Sequence, residues 1–480
     1  MSNSLKFIFI FITLIFSNIQ TKNNFFRNLQ PELEESTSVS YSAEYTYSST
    51  NCLTSNTVSS DIEDENVILV KNGVTFTINS VTVNKTGDTS NTENAEFYGL
   101  NAAFLVTNSS TGVIYNSSIL TNGKGANAVF SYGSSSKIEI FNSSIITTGQ
   151  SSSRGLLATY TGTINAYNIF ISTSGGSCAT LATDRGEGVV TCLSCRLITA
   201  GAGSPVIYST GTITIDNTTG SALEAQMVVV EGANSVLIKD SNLNSYSNGN
   251  RDSKVDSSGI FIYQSTSGDA NEGVGSFVAV SSNFTIFENS TYYSSAPMFF
   301  VTNTEAKITL LGGNKFNYGS GVFLKADTNT ENWGTSGKNG GTVTLYVKGE
   351  SIVGNIICGS NSSITIYLTE NSNLTGTITG NVNIYIDSTS KWTLTGNSEV
   401  SYYQSVSSSN IVKGTFTLAG TAATNLSSFN FPTNSISGLT SITTDVECTN
   451  TNPSDDDDDD NKGKFLYINL LSLLVLILNL

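Results

Sequence analysis

Between residues 113 and 243 one short phrase recurs at a nearly fixed interval. It reads VIYNSSIL from Val113, IEIFNSSI from Ile138, INAYNIFI from Ile164, VTCLSCRL from Val190, ITIDNTTG from Ile213 and VLIKDSNL from Val236. Aligned on the polar residue that ends each first apolar run, the copies give the column Asn116, Asn142, Asn168, Ser194, Asn217, Asp240, at intervals of 26, 26, 26, 23 and 23 residues. Apolar residues alternate within each copy, as Ile138 and Ile140 do against Glu139 and Phe141, which is strand spacing. A second apolar position follows three residues after the column, at Ile119, Ile145, Ile171, Leu197 and Leu243, before a turn rich in Gly, Ser or Thr. A unit this short, with two or three strands and no helical stretch, cannot bury its own inward face, so the units must stack. The predicted fold is all-β: a single-stranded right-handed parallel β-helix, each position lying about 4.8 Å above its counterpart in the coil below. The handedness follows the preference of parallel crossovers. The Asn/Ser/Asp column becomes a structural ladder closing one corner of the coil.

Composition narrows the function classes. Histidine is absent from the 480 residues, which excludes a Ser-His-Asp or Cys-His site, a His-ligated zinc and a histidine general base. Any catalysis must use carboxylates, Lys, Arg or Tyr. The formal charge of −16 and the lack of Lys/Arg clusters argue against nucleic acid as a partner. Only 12% of residues are charged and Pro occurs 5 times, as suits many short strands with Ser, Thr and Asn outside. Six cysteines in a chain read as exported permit disulfides. Cys192-x-x-Cys195 has no second such motif and no βαβ context, so Cys178, Cys192 and Cys195 are read as candidates for a local disulfide or as buried thiols, not as a redox centre.

Taken in order, residues 1–20 carry Lys6 and the apolar run Phe7 to Phe16, the pattern of a signal peptide. Residues 21–60 read as an N-terminal lead-in and cap, and 61–445 as the β-helix. In its C-terminal half insertions fall at 245–258, 265–275 and 326–341; loops leaving a solenoid edge commonly build its working face. Sequons stand at Asn84, Asn108, Asn283, Asn289, Asn361, Asn373 and Asn425, candidates for glycosylation. Those at Asn116, Asn142 and Asn217 lie in the ladder, where a buried asparagine cannot hold a glycan. Residues 446–464 form an acidic spacer with six aspartates, and 465–480 a hydrophobic tail. With Ser454 as the attachment residue, the pattern matches a glycosylphosphatidylinositol signal. The alternative is a membrane helix, but 16 residues span only about 24 Å of a roughly 30 Å hydrocarbon core.

Scarce charges single out the candidate site residues. The cluster TDRGEG, from Thr183, is the densest in the regular coils. The corresponding turns carry Ser209 and Thr210, then Glu231, Gln264, Asn303 and Asp327. Asp184 and Glu231 would stand two coils apart, about 9.6 Å on backbone spacing, near the upper end of the roughly 6.5–9.5 Å used by inverting glycosidases. Asp184, Arg185 and Glu231 are therefore the catalytic candidates, although Asp184 serves equally to pair with Arg185 or cap a turn. Binding candidates are Trp333, which could stack on a sugar ring, with Asp184, Glu231 and Asp269. Asp269 and Glu272 could supply calcium ligands, but no calcium-loop spacing accompanies them and no cofactor is assigned. Trp392 is expected to pack against the terminal coils.

The stacked repeat resembles the pectate-lyase-like right-handed β-helix superfold. TDRGEG, SPVIYSTG, VTNTEA and WGTSGKNGG resemble segments of secreted adhesin-like β-helix proteins, a group without an established function; the likeness runs from about residue 101 to 396. Lyases and hydrolases of the superfold use clustered Asp residues, or calcium-binding Asp with a basic residue. This chain matches them only loosely, at Asp184, Arg185 and Glu231, and has no Asp-Asp or Asn-x-Asp motif at an equivalent site. With no histidine and with outward ladders of Ser, Thr and Asn, the chain reads as a non-catalytic, adhesin-like cell-surface protein contacting extracellular glycans or neighbouring cells, attached to the membrane through its C-terminal pattern. A polysaccharide lyase or glycoside hydrolase, and a structural coat protein, are the alternatives.

Overall fold

A computed structural model describes residues 39–248, 257–331 and 333–423. The signal peptide, Asn425, Ser454, the acidic spacer and the hydrophobic tail lie outside these residues. Within them the chain winds as a parallel β-helix, 51% strand and 3% helix. Each regular coil contributes three strands, as Val129–Tyr132, Lys137–Phe141 and Ser144–Thr147 do for one. The first two columns form a 28-stranded sheet, joined because Ser398–Ser405 pairs with both. The third column forms a ten-stranded sheet continued by one of four strands. The strand pairings among the described residues are parallel, and in the regular coils register is kept residue for residue: Ile114, Ile140, Ala166, Cys192, Ile215 and Ile238 stack in one inward column. On the third face Val83, Ile119, Ile145, Ile171 and Leu197 do the same. Both columns lie in the single elongated core, where Trp392 is fully buried and donates from Nε1 to the Gly376 carbonyl at 3.1 Å.

The coiling starts earlier than the sequence pattern indicates. Ser42–Tyr47, Asn51–Thr54 and Thr57–Ser60, in the stretch read as lead-in and cap, already make a coil that pairs in parallel with the next. Its alternation is hidden because Ser, Thr and Tyr take most of the places that Val or Ile hold in later coils.

The repeat column sits at the corner between the second and third faces. Asn116, Asn142, Asn168, Ser194, Asn217 and Asp240 all take positive φ, between 45° and 55°. Asn and Asp tolerate this left-handed turn better than other non-glycine residues. Asn168 Nδ2 donates to Asn142 Oδ1 at 2.7 Å, and Asn217 Nδ2 to Ser194 Oγ at 3.0 Å. The ladder is exposed, however. Asn116, Asn142 and Asn217 face solvent, so the expectation that burial would bar glycans from them is corrected: the left-handed residue turns its own side chain outward and sends the next one inward.

That next position carries a second, buried ladder. Ser117 Oγ accepts the Val81 N–H, and Ser143 Oγ accepts the Ser117 N–H, both at 3.1 Å. After a break at Ile169 the chain of bonds resumes. Cys195 N–H donates to Thr218 Oγ1, Thr218 N–H to Ser241 Oγ at 3.0 Å, Ser241 N–H to Ser282 Oγ and Ser282 N–H to Asn314 Oδ1. Away from the Ile169 break, the corner amides of Val81, Ser117, Cys195, Thr218, Ser241 and Ser282 thus each find a side-chain oxygen one coil away. Cys195 occupies this inner position and forms a disulfide with Cys192. Cys178 is not part of it: the thiol is buried, accepts the Ser153 N–H at 3.1 Å, and is pushed up to about 11 by burial.

Replacing Ser241 by Ala should cost about 1–3 kcal/mol, because the Thr218 amide loses its buried acceptor, whereas Asn142→Gly, outside and still left-handed, should stay within about 1 kcal/mol. Thermal unfolding of the two variants against the parent checks the contrast; equal losses would count against the inner ladder.

Candidate functional site

On the first face even the outward residues are covered. Leu69, Leu105, Phe130, Leu157, Ala179 and Ala182 form an apolar cluster outside the core, and Val229, Phe261 and Phe300 form another further along. Two segments close over this stripe. One is the helix Thr92–Tyr98, held between Asn91, whose side chain accepts the Asn94 N–H, and the left-handed Gly99. It falls inside the stretch read as β-helix, where Asn at the N-cap and Gly at the end are its only sequence signals. The other comprises the insertions after the first-face strands of two later coils. Trp333 from the longer one packs on Tyr263, with ring centroids 4.7 Å apart, and on Phe261 at 6.3 Å. The indole is half-buried against these two rings and covers the stripe.

Arg185 ties the two covers together. Its guanidinium lies 4.0 Å above the Phe97 ring and Nη2 meets Asp269 Oδ1 at 2.9 Å. Asn271 Nδ2 donates to Glu187 Oε1 at 2.6 Å alongside. Residues 84 positions apart in sequence therefore meet on one turn. Asp269 is thereby paired with the Arg185 guanidinium. Among the described residues no group of three or more His, Cys, Asp or Glu side chains is placed to hold a metal ion.

The carboxylate candidates share a column, as expected. The pairings of Tyr208 with Ala182 and of Val230 with Ser209 put Asp184 and Glu231 two coils apart, with Thr210 between. Beyond them the column continues through Tyr263 and Thr302 rather than Gln264 and Asn303, because those strands run one residue further before turning. The two carboxylates serve separate networks. Glu231 Oε2 accepts the hydroxyls of Tyr208 and Tyr263, each at 2.7 Å, and Oε1 the Ser265 N–H at 3.3 Å. Burial first, and then the Glu231 charge, raises both tyrosines well above their ordinary range. Asp184, 3% exposed, accepts the Arg185 N–H at 2.9 Å and pairs with Arg154 Nη2 at 3.1 Å. The same Nη2 lies 3.6 Å from Glu96 on the covering helix. Burial opposes the Arg154 charge, but Glu96 and then Asp184 hold the guanidinium above its usual value. Asp184 itself is pushed up to about 7 by burial, which the shared guanidinium only partly offsets.

Arg154 also lines a cleft of about 180 Å³ on this face, with Ser177, Ala179, Gly203, Pro205 and Tyr208. Its Nη1 is buried without a hydrogen-bond partner. Glu96, Arg154, Tyr208 and Tyr263 were not singled out from the sequence; the only signal was the rarity of Arg in the coils.

A different arrangement occupies the outer second face near the C-terminal end. Tyr346, Tyr367 and Tyr385 stack in register, with centroids 5.1 and 5.0 Å apart and planes within 12°. All three are half-exposed, and Lys307 reaches over Tyr346 at 5.5 Å. Thr344, Thr365 and Asn383 run beside them in the next outward column.

The architecture defines the chain as a parallel β-helix protein. No protein-family model matches it, and neither a curated protein nor a solved structure shows significant similarity. No helix among the described residues is long and apolar enough to cross a membrane.

With its folded pKa raised, Asp184 keeps its proton up to about pH 7 while the unfolded chain loses it near 3.8, so stability should be highest below that value and fall as pH rises to about 7. Thermal midpoints between pH 4 and 8 should show this decline, and Asp184→Asn should flatten it; an undiminished slope in the variant would refute the assignment. Arg185→Ala should free both covers. Limited proteolysis should then cut within 265–273 at least several-fold faster, and unchanged cutting would show that Arg185 does not join them.

Proposed function

We propose that this protein is a non-catalytic, adhesin-like β-helix displayed at the cell surface on a C-terminal lipid anchor, where it retains glycans along its outer wall. The observation that carries the reading is the half-exposed ladder Tyr346, Tyr367, Tyr385, flanked by Lys307, Thr344, Thr365 and Asn383. Tyrosine offers an apolar ring and a polar tip at little entropic cost. Repeated at coil spacing, it suits a chain of sugar rings carrying CH faces and hydroxyls. Single contacts of this type are weak, and many copies on one membrane compensate by avidity. The carboxylates point the same way, since Glu231 is filled by two tyrosine hydroxyls and an amide.

One observation favours an enzyme instead: a carboxyl held near 7 is suited to general acid work. Full-length protein should be applied to a glycan array, and then to polyuronates and β-glucans with reducing ends and unsaturated products followed. Retention without turnover, weakened at least tenfold by Tyr346→Ala with Tyr367→Ala at an unchanged thermal midpoint, is the expected result. Retention indifferent to that pair would remove the ladder as the contact, and turnover abolished by Asp184→Asn would replace binding with hydrolysis or elimination. Release from intact cells by a phosphatidylinositol-specific phospholipase C tests the anchor; a mature chain still carrying residues 465–480 would speak for a membrane helix.

A further inference from the structure

The exposed corner between the second and third faces offers an attachment site. Asn116, Asn142 and Asn217 each open an Asn-x-Ser/Thr sequon, completed by Ser118, Ser144 and Thr219. All three asparagines face solvent from the left-handed turn. Their ladder bonds leave the side-chain nitrogen a hydrogen to spare, since an amide NH2 carries two. Asn217 Nδ2 uses one on Ser194 Oγ at 3.0 Å, and Asn116 Nδ2 one on Asn79 Oδ1 at 3.2 Å. Asn142 is held through Oδ1, which accepts from Asn168 Nδ2 at 2.7 Å. A sugar can therefore replace one hydrogen on each nitrogen without breaking the ladder.

The sequon hydroxyls are not a by-product of the fold. The inner ladder uses the residue directly after each asparagine, Ser117, Ser143 or Thr218. The next residue opens the third-face strand and lies on its outer side. In register with Ser118, Ser144 and Thr219, other coils place Phe170, Arg196 and Asn242 there. The position accepts a ring, a guanidinium or an amide, so packing does not call for a hydroxyl. Asn168, which has Phe170 two residues on, is a control within the same column.

Spacing limits occupancy. Asn116 and Asn142 stand in adjacent coils, about 4.8 Å apart, and Asn217 lies three coils beyond Asn142, about 14 Å away. Two oligosaccharides on adjacent rungs would claim the same space. Asn217 instead has Ser194 and Asp240 as its neighbours, and neither can be modified in this way.

We propose that this corner is an N-glycosylation row, with an oligosaccharide on Nδ2 of Asn217 and of one member of the pair Asn116 and Asn142. In the transfer, Nδ2 attacks the anomeric carbon of a lipid-pyrophosphate-linked oligosaccharide. The carbon–nitrogen bond forms, the bond from that carbon to the phosphate oxygen breaks, the lipid pyrophosphate leaves, and Nδ2 gives one proton to a base of the transferase. The row rests on the cell-surface reading only for passage through a secretory compartment. Past Asn217 the corner is carried by Asp240, Ser281 and Gly313, which have no side-chain amide. The row therefore ends before the coils of Tyr346, Tyr367 and Tyr385.

The full chain should be secreted from a eukaryotic host, with the host's own leader in place of residues 1–20. Peptide N-glycosidase in heavy-oxygen water then marks each formerly glycosylated asparagine as labelled aspartate for mass spectrometry. Asn217 should be marked in most molecules and Asn168 in none. Thr219→Ala, which keeps Asn217 in the ladder, should remove one glycan per chain at an unchanged thermal midpoint. Ser118→Ala or Ser144→Ala alone should leave the number of glycans per chain unchanged, and the two together should lower it by one. Ser144→Ala with Phe170→Thr, which completes a sequon at Asn168, should mark Asn168. An unmarked Asn217, an unmarked Asn168 in that double variant, or a glycan lost from Ser118→Ala alone would each overturn the row. Loss of array retention with Asn217 marked removes the glycan-binding reading and leaves the row, whereas an unmarked Asn217 with retention intact does the reverse.

Discussion

Everything in this molecule depends on the backbone amide at the corner between the second and third faces. A parallel coil must turn there without leaving its N–H groups unpaired in a dry interior, at about 1–3 kcal/mol for each one left bare. The solution is a two-residue device. One residue adopts the left-handed conformation, as Asn116, Asn142, Asn168 and Asn217 do. The residue after it drops a hydroxyl inward to receive the amide of the coil below, as Ser143, Ser241 and Ser282 do. Because the acceptor belongs to the neighbouring coil, the corner satisfies itself only when coils stack in register. Where Ile169 and Cys195 replace hydroxyls, the core gains a side chain and the Cys192–Cys195 disulfide instead. The same rule works at the opposite turn, where Cys178 N–H donates to Ser204 Oγ at 2.9 Å.

Fixed register frees the outer surfaces for other uses. On the second face it aligns three tyrosines into a half-exposed stack. On the first face it produces an apolar stripe that has to be covered, and the covers bring charge with them. Glu96 rides in on the helix, Asp269 on an insertion, and Arg154 and Arg185 answer from the coils. Charges taken out of water in this way stay paired or shift toward neutrality. Arg154 and Arg185 are held by carboxylates, whereas Asp184, sharing its partner with Glu96, moves to about 7.

The repeat phrase was enough to specify a parallel β-helix, its inward columns and the stacked corner, because strand alternation and a fixed period are local properties of the chain. The column of Asp184 and Glu231 was also legible, since the turn after each first-face strand recurs once per coil and so marks height along the axis. What the sequence could not supply is which side of the corner faces water: the left-handed turn reverses it, so the asparagines are outside and the serines after them inside. Nor could it supply Trp333 as a cover, or the meeting of Arg185 with Asp269 and Phe97. Those contacts join segments with no shared periodicity, 84 residues apart for Arg185 and Asp269. Periodicity therefore determined the solenoid, while the fate of each scarce charge was decided only by how loops of unequal length fold back over it, where burial and a shared guanidinium outweigh residue type.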